Sequence, residues 1–174
     1  SLRRLVCLGA AHVRPHGRRI RYGISDSVIA VVTDSSDNEE FRALRDFYLE
    51  KQVDNHSIVV HALLDGPSLV GAYTFTIRPG VDTIVDVNLT LYPRTTLTTV
   101  GLAPLTSMFF FGANDRVKVD DFRPAVHDSD GLMVLTGAGE WLWRPVVNPE
   151  RLRISSFVDH NPKGFGLMQR DRDF

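Results

Sequence analysis

Between Val126 and Pro145 runs VHDSDGLMVLTGAGEWLWRP: a histidine, two carboxylates, a glycine-bearing turn and Trp-x-Trp-Arg. Carboxylates move protons, and indoles offer broad apolar faces, so this mixture suits a saccharide site. On a strand, Asp128 and Asp130 share a face. Acids that close do not give the roughly 6.5–9.5 Å separation of an inverting glycosidase, so at most one of them is half of such a pair. The structural alternative is an Asx turn, in which Asp128, Ser129 and Asp130 cap nearby backbone groups. Trp141 and Trp143 alternate with Leu142, which sends both indoles to one side of a strand. Facing inward they are core; facing outward beside Asp128 they are stacking platforms. Glu140 falls on the Leu142 side and reads as a solvated strand residue.

Other chemistries find less support. The histidines (His12, His16, His56, His61, His127 and His160) are scattered singly, without zinc-ligand spacing. HDSD lacks the twelve-residue pattern of a calcium loop, so no metal is expected. There is no Gly-x-Ser-x-Gly elbow, and GAGEW is too short for a phosphate loop and precedes a strand. No organic cofactor is expected either.

A chain of 174 residues is long enough for a substantial core. Its 43% apolar and 24% charged residues suit a globular protein, and its net charge of −1 gives no general argument for nucleic-acid partners. No apolar run has the roughly 20 residues of a membrane span. Cys7 is the single cysteine, so no internal disulfide can form. The chain begins without methionine and ends in a strand-like pattern, and it reads as an internal piece of a longer protein.

The elements that must position these residues are mostly strands. From Ser57 onward the apolar period is two: SIVVHALLDG and SLVGAYTFTIRPG flank a Gly66-Pro67 hairpin, and DTIVDVNLTLYPR alternates. LTSMFFFG, GLMVLTG, GEWLWRPV, LRISSFVD and GFGLMQR read as further strands. The pattern predicts an antiparallel β-sandwich or barrel with no sequence repeat and no boundary within it. One short helix is expected over 37–51, capped at Asp37 or Asn38, with Phe41, Leu44, Phe47 and Tyr48 on one face. Residues 1–21, with six arginines and no acid, form an atypical basic segment expected at the edge of the fold.

GLAPLTSMFFFGAND, DDFRPAVHDSDGL, GAGEWLWRPVVNPERLRISSF and NPKGFGLMQRDRDF resemble the periplasmic glucans biosynthesis protein family, the MdoG and MdoD (or OpgG and OpgD) proteins of Gram-negative bacteria. HALLDGPSLVGAYTFTIRPGVDTIVDV fits in the same order, and the resemblance runs from about Tyr22 to Phe174. It implies that residues 22–174 are part of a glucan-processing domain resembling the galactose-mutarotase supersandwich, incomplete here. It also implies a periplasmic location, a β-1,2-linked glucan as ligand and, in some members, inverting hydrolysis. The family's general base falls on Asp128, and its general acid is expected beyond residue 174. His127 and Asp130 then orient Asp128 or bind sugar hydroxyls, while Arg123, Trp141, Trp143 and Arg144 line or buttress the groove. A homo-oligomer is compatible with this reading. The rivals are a non-catalytic glucan-binding or scaffold component and, less well matched, a sugar epimerase or mutarotase, which would use a His and Glu pair.

Overall fold

The computed structural model describes residues 5–8, 12–15, 26–27, 29–31, 43–51, 56–98, 100–113, 115–116 and 119–170. Among these the chain is strand and turn, with no helix, and every ladder is antiparallel. It divides into two compact units, Ser1–Pro104 and Leu105–Phe174, a division that no change of composition marks.

The first unit opens with β1 (Leu5–Leu8), β2 (His12–Pro15) and β3 (Asp26–Ser27), a three-stranded sheet in that order. The basic segment therefore supplies both the edge strand β1 and the central strand β2. Strand β4 (Ile29–Val31) pairs with β9 (Val100–Leu102). The main sheet is a meander of β5 (Ala43–Leu49), β6 (Ile58–Asp65), β7 (Leu69–Arg78) and β8 (Ile84–Pro93). Alternation along β6 and β7 sends Ile58, Val60, Ala62, Leu64, Leu69, Tyr73, Phe75 and Ile77 to one face, where all are buried. Leu89 and Leu91 of β8 lie against Gly71, where a Cβ would sit 3.2 and 3.3 Å from their methyls. Removing this apolar surface from water is what holds the sheet together, at about 1.5–3 kcal/mol for each large side chain fully buried. The Gly66-Pro67 hairpin forms as the sequence indicates, with Asp65 opposite Val70.

Two expectations are corrected. Residues 43–49 of the expected helix are strand β5, paired with β6; residues 37–42 lie outside the described residues. The register shifts between Leu44 and Asp46, so Arg45 is an extra residue in the ladder. That bulge puts Leu44 opposite Leu64 and Phe47 opposite Ala62, both on the core side of β6. A spacing of three on one face then arises in a strand, and it imitates a helical period. LRISSFVD is also not a strand: residues 152–159 take no ladder position, and Leu152, Ile154 and Val158 are exposed. Alternation alone does not make a strand where no neighbour takes the backbone hydrogen bonds.

The second unit holds β10 (Phe109–Phe111) paired with β11 (Val126–His127), and a sheet ordered β13 (Trp141–Pro145), β12 (Gly131–Leu135), β14 (Gly164–Met168). Phe111 is fully buried, with the Arg116 guanidinium 4.6 Å from its ring centre.

Candidate functional site

Residues 126–135 form a run that changes partners midway. Val126 and His127 pair with β10, and the Asp128 N–H continues there by donating to the Met108 carbonyl at 2.8 Å. From Asp130 the partners are new: its N–H donates to the Met168 carbonyl and its own carbonyl accepts from Val146 N–H, each at 2.9 Å. Between them Ser129 is completely buried, its hydroxyl 2.6 Å from that of Ser107. A buried hydroxyl without a partner costs about 1–3 kcal/mol, and this pair avoids that cost.

Where a strand leaves one sheet for another, some backbone N–H groups lose their ladder partners. The two carboxylates fill this need. Asp128 Oδ2 accepts from Met108 N–H at 3.0 Å, and Asp130 Oδ2 accepts from Arg170 N–H at 2.6 Å. These bonds cross 20 and 40 residues, so the acids brace distant strands and do not cap a local turn. Asp128 is half-buried, and among the described residues its Oδ1 accepts no hydrogen bond. Gln169 Nε2 donates to the Asp128 carbonyl at 2.7 Å, which adds a second tie from the end of β14.

His127 stacks on Phe109, ring centres 5.7 Å apart, and its Nε2 lies 3.9 Å from Asp130 Oδ1. Its buried Nδ1 has no partner among the described residues. His127, Asp128 and Asp130 are thus held in one short run between two strand neighbours.

The two tryptophans do share a face. Met133 stands opposite both Trp143 and Gly166, and Leu135 opposite both Trp141 and Gly164. Their surroundings differ, however. A Cβ on Gly131 would come 2.4 Å from the Arg144 carbonyl oxygen and 2.7 Å from Trp143 Cζ2, so the Trp143 ring lies against the bare backbone of Gly131. The Arg170 guanidinium is 5.8 Å from the Trp143 ring centre. Trp143 is therefore partly a packing group, tied through Arg170 to Asp130. Trp141 is 64% exposed. Across the sheet from it, Gly164 and Gly166 have nothing within 4 Å of a would-be Cβ. This face accordingly has an exposed indole at one edge, and at the other a strand that carries only Met168 on this side.

The hairpin carrying Trp141 is pinned. Gly137 N–H donates to Asp159 Oδ2 at 2.9 Å, and a Cβ on Gly137 would fall 2.0 Å from the His160 carbonyl oxygen. Gly139 has φ of 92°, a conformation that favours glycine.

Arg144 and Arg123 have partners of their own. Arg144 is paired with Leu132, hence on the sheet face opposite the indoles, and its guanidinium lies 5.0 Å from the Phe157 ring centre. Arg123 grips Asp121 through two nitrogens, at 2.9 Å (Nε to Oδ1) and 2.5 Å (Nη2 to Oδ2). Hydrogen bonds from the Arg123 side chain and backbone pull the Asp121 carboxyl down to about 2. Sequence reasoning missed Gln169 and Arg170, which join the acids to the tryptophan sheet. The QR pair at the end of a strand was visible, but its partners 40 residues away were not.

Comparison with known proteins adds a family. The model of the periplasmic glucan biosynthesis protein MdoG matches residues 3–174. The chain is 52% identical over 171 residues to glucans biosynthesis protein G of Shewanella baltica, covering 98% of this chain and 32% of that protein. It is 55% identical over 170 residues to the protein of that name from Bradyrhizobium diazoefficiens, covering 97% and 34%. For the Vibrio cholerae protein the figures are 53% over 167 residues, 95% and 31%. The chain thus spans about a third of the length of these relatives. The resemblance, expected to begin near Tyr22, starts at residue 3, so the arginine-rich composition of the first residues does not mark a break from the family.

Proposed function

This chain belongs to the periplasmic glucan biosynthesis protein MdoG family, and from that premise we propose that its Asp128 region is one wall of a groove for β-1,2-linked glucan. In the whole protein Asp128 acts as general base of an inverting hydrolysis. It takes a proton from water while an acid from another part of the protein protonates the leaving oxygen. The observation that carries this reading is the state of the Asp128 carboxylate: one oxygen anchored by Met108 N–H, the other unclaimed among the described residues, the group half-open. A carboxylate so held can orient a water without first having to be ordered.

The remaining roles follow from position. Asp130 and His127 keep the run in register, with Asp130 tied to Arg170. Trp141 is the stacking platform, and Trp143 its buttress. Arg144 supports a neighbouring loop from the face opposite the platform, and Arg123 holds Asp121. The galactose-mutarotase-like supersandwich for residues 22–174 belongs to this proposal, as does the absence of any metal or organic cofactor from the chemistry.

A second reading is favoured by the bracing bonds themselves. Both acids serve the backbone, which also suits a non-catalytic glucan-binding component. Reducing-sugar release from linear β-1,2-glucan separates the two. Assayed alone, this chain releases little on this reading, because the opposing acid comes from another part of the whole protein. In a chimera that restores the relatives' full length, Asp128→Asn lowers release by about 10²–10⁴-fold and leaves glucan binding intact. Release that is equal in both forms contradicts the catalytic reading, and robust release by the chain alone that vanishes in Asp128→Asn places the acid within these residues, at a carboxylate such as Asp86 or Asp171.

A further inference from the structure

The meander sheet of the first unit has a second face, opposite its core. One end of that face carries a hollow of about 430 Å³, within the size range of small-molecule sites. Leu63, Val70, Ala72 and Tyr92 give it an apolar lining, and Arg45, Asp46, Asp65 and Arg94 supply its charges. The register brings these groups together: Asp65, Val70 and Tyr92 form one cross-strand row, and Leu63 and Ala72 the next. The bulge at Arg45 adds the extra residue on the third side.

Arg94 and Asp65 are placed before any ligand arrives. Arg94 Nη1 donates to the Gly66 carbonyl at 2.7 Å, and Arg94 Nη2 stands 3.1 Å from Asp65 Oδ1. That second contact is close enough for charge attraction but off the line of a hydrogen bond, since the buried Oδ1 accepts none. Arg45 Nε approaches the other oxygen at 3.4 Å. Meanwhile Tyr92 is 56% exposed and Leu63 43% exposed, so apolar area faces solvent beside the pinned charges.

We propose that this hollow is a binding site for a neutral pyranose, separate from the Asp128 region. Two arginines against two aspartates leave the lining without net charge. A free anion would compete with Asp65 for the two guanidinium groups that it already approaches. A wholly apolar ligand would leave four charged groups facing it. A sugar ring satisfies both halves: its C–H face covers Tyr92 and Leu63, and its hydroxyls meet donors and acceptors held on one rim.

The test is a nuclear magnetic resonance titration of the full chain with a β-1,2-linked glucose disaccharide and, separately, glucose 6-phosphate. It is run in a Trp141→Ala/Asp128→Asn background, so that loss of the glucan groove is not confused with loss of this site. The disaccharide shifts the amides of Leu63, Val70, Ala72 and Tyr92. Tyr92→Ala and the hollow-filling Ala72→Phe each weaken its binding at least about tenfold, equivalent to 1.4 kcal/mol. Both positions lie on the solvent side of the sheet, and unchanged amide dispersion elsewhere shows that each variant is folded. Absence of shifts at these residues overturns the proposal. So do shifts unaffected by either substitution, or glucose 6-phosphate binding in preference to the neutral sugar.

Discussion

The meander sheet and the Asp128 crossover are both built from antiparallel strands, yet they are held by different forces. In the meander, one face is continuous apolar side chain from Ile58 to Ile77, and the ladder runs through ten consecutive pairs between β7 and β8. At the crossover the ladder is broken, and its connections are made by side chains: Asp128 to Met108, Ser129 to Ser107, Asp130 to Arg170, Gln169 to Asp128. A hydrophobic face tolerates small shifts because its attraction is non-directional. A crossover tied by hydrogen bonds fixes particular atoms, which is what a proton-transferring carboxylate requires. Chemistry in a β-protein is accordingly expected where the ladder fails and polar side chains replace it.

The contrast can be broken by substitution. Its largest expected effect is in the meander. Leu64→Ala removes a side chain that is 1% exposed and should destabilise the first unit by about 2–5 kcal/mol. Denaturant unfolding followed by far-ultraviolet circular dichroism measures the loss, and the fluorescence of the two tryptophans, both in the second unit, reports whether the units unfold separately. A loss below about 1 kcal/mol would mean that this face is not the principal source of stability. Next is Gly131→Ala. Its methyl meets both the Arg144 carbonyl and the Trp143 ring, so β12 and β13 must separate. The expected cost is about 1–3 kcal/mol, with altered Trp143 fluorescence. Ser129→Ala leaves the Ser107 hydroxyl without its partner, for about 1–3 kcal/mol. The double change Ser107→Ala/Ser129→Ala should recover part of that loss. No recovery would show that the hydroxyl pair is not what holds the crossover.

The smallest effect concerns pH. Hydrogen bonds from Arg123 lower the Asp121 carboxyl from 3.8 to about 2. A folded-state value below the unfolded one stabilises the fold above about pH 3.8. That contribution is lost as pH falls through about 2. Carboxyl carbon titration should give a midpoint near 2 for Asp121, returning toward 3.8 in Arg123→Ala. A midpoint unmoved by that substitution would assign the shift to another cause.

Much of the meander was legible, because burial on one face writes a period of two into β6, β7 and β8. Its first strand was not. The bulge at Arg45 placed Leu44 and Phe47 on one side, and a helix is the simpler account of that spacing in isolation. LRISSFVD failed in the opposite way: the alternation is present, but no strand accepts it. At the crossover, residues 128–130 lie between β11 and β12, and Ser129 is buried while its flanking acids are half-buried. The meaning of this run depended on Met108 and Arg170, which no local pattern connects to it. The shared face of Trp141 and Trp143 was readable from spacing, whereas their different exposure rests on the missing side chain of Gly131. Family resemblance carried the step from an acid and an indole to a glucan, a step the residues alone left open.

The central claim, that the Asp128 run and the free indole form one glucan-facing wall, is tested most directly by titrating the chain with linear β-1,2-glucan while observing the indole N–H signals of Trp141 and Trp143 and the side-chain carboxyl of Asp128. The expected result is a large shift at Trp141, a smaller one at Trp143 and a change at Asp128, all abolished by Trp141→Ala and absent with a β-1,4-linked glucan. Saturable binding that leaves all three signals unmoved would contradict it.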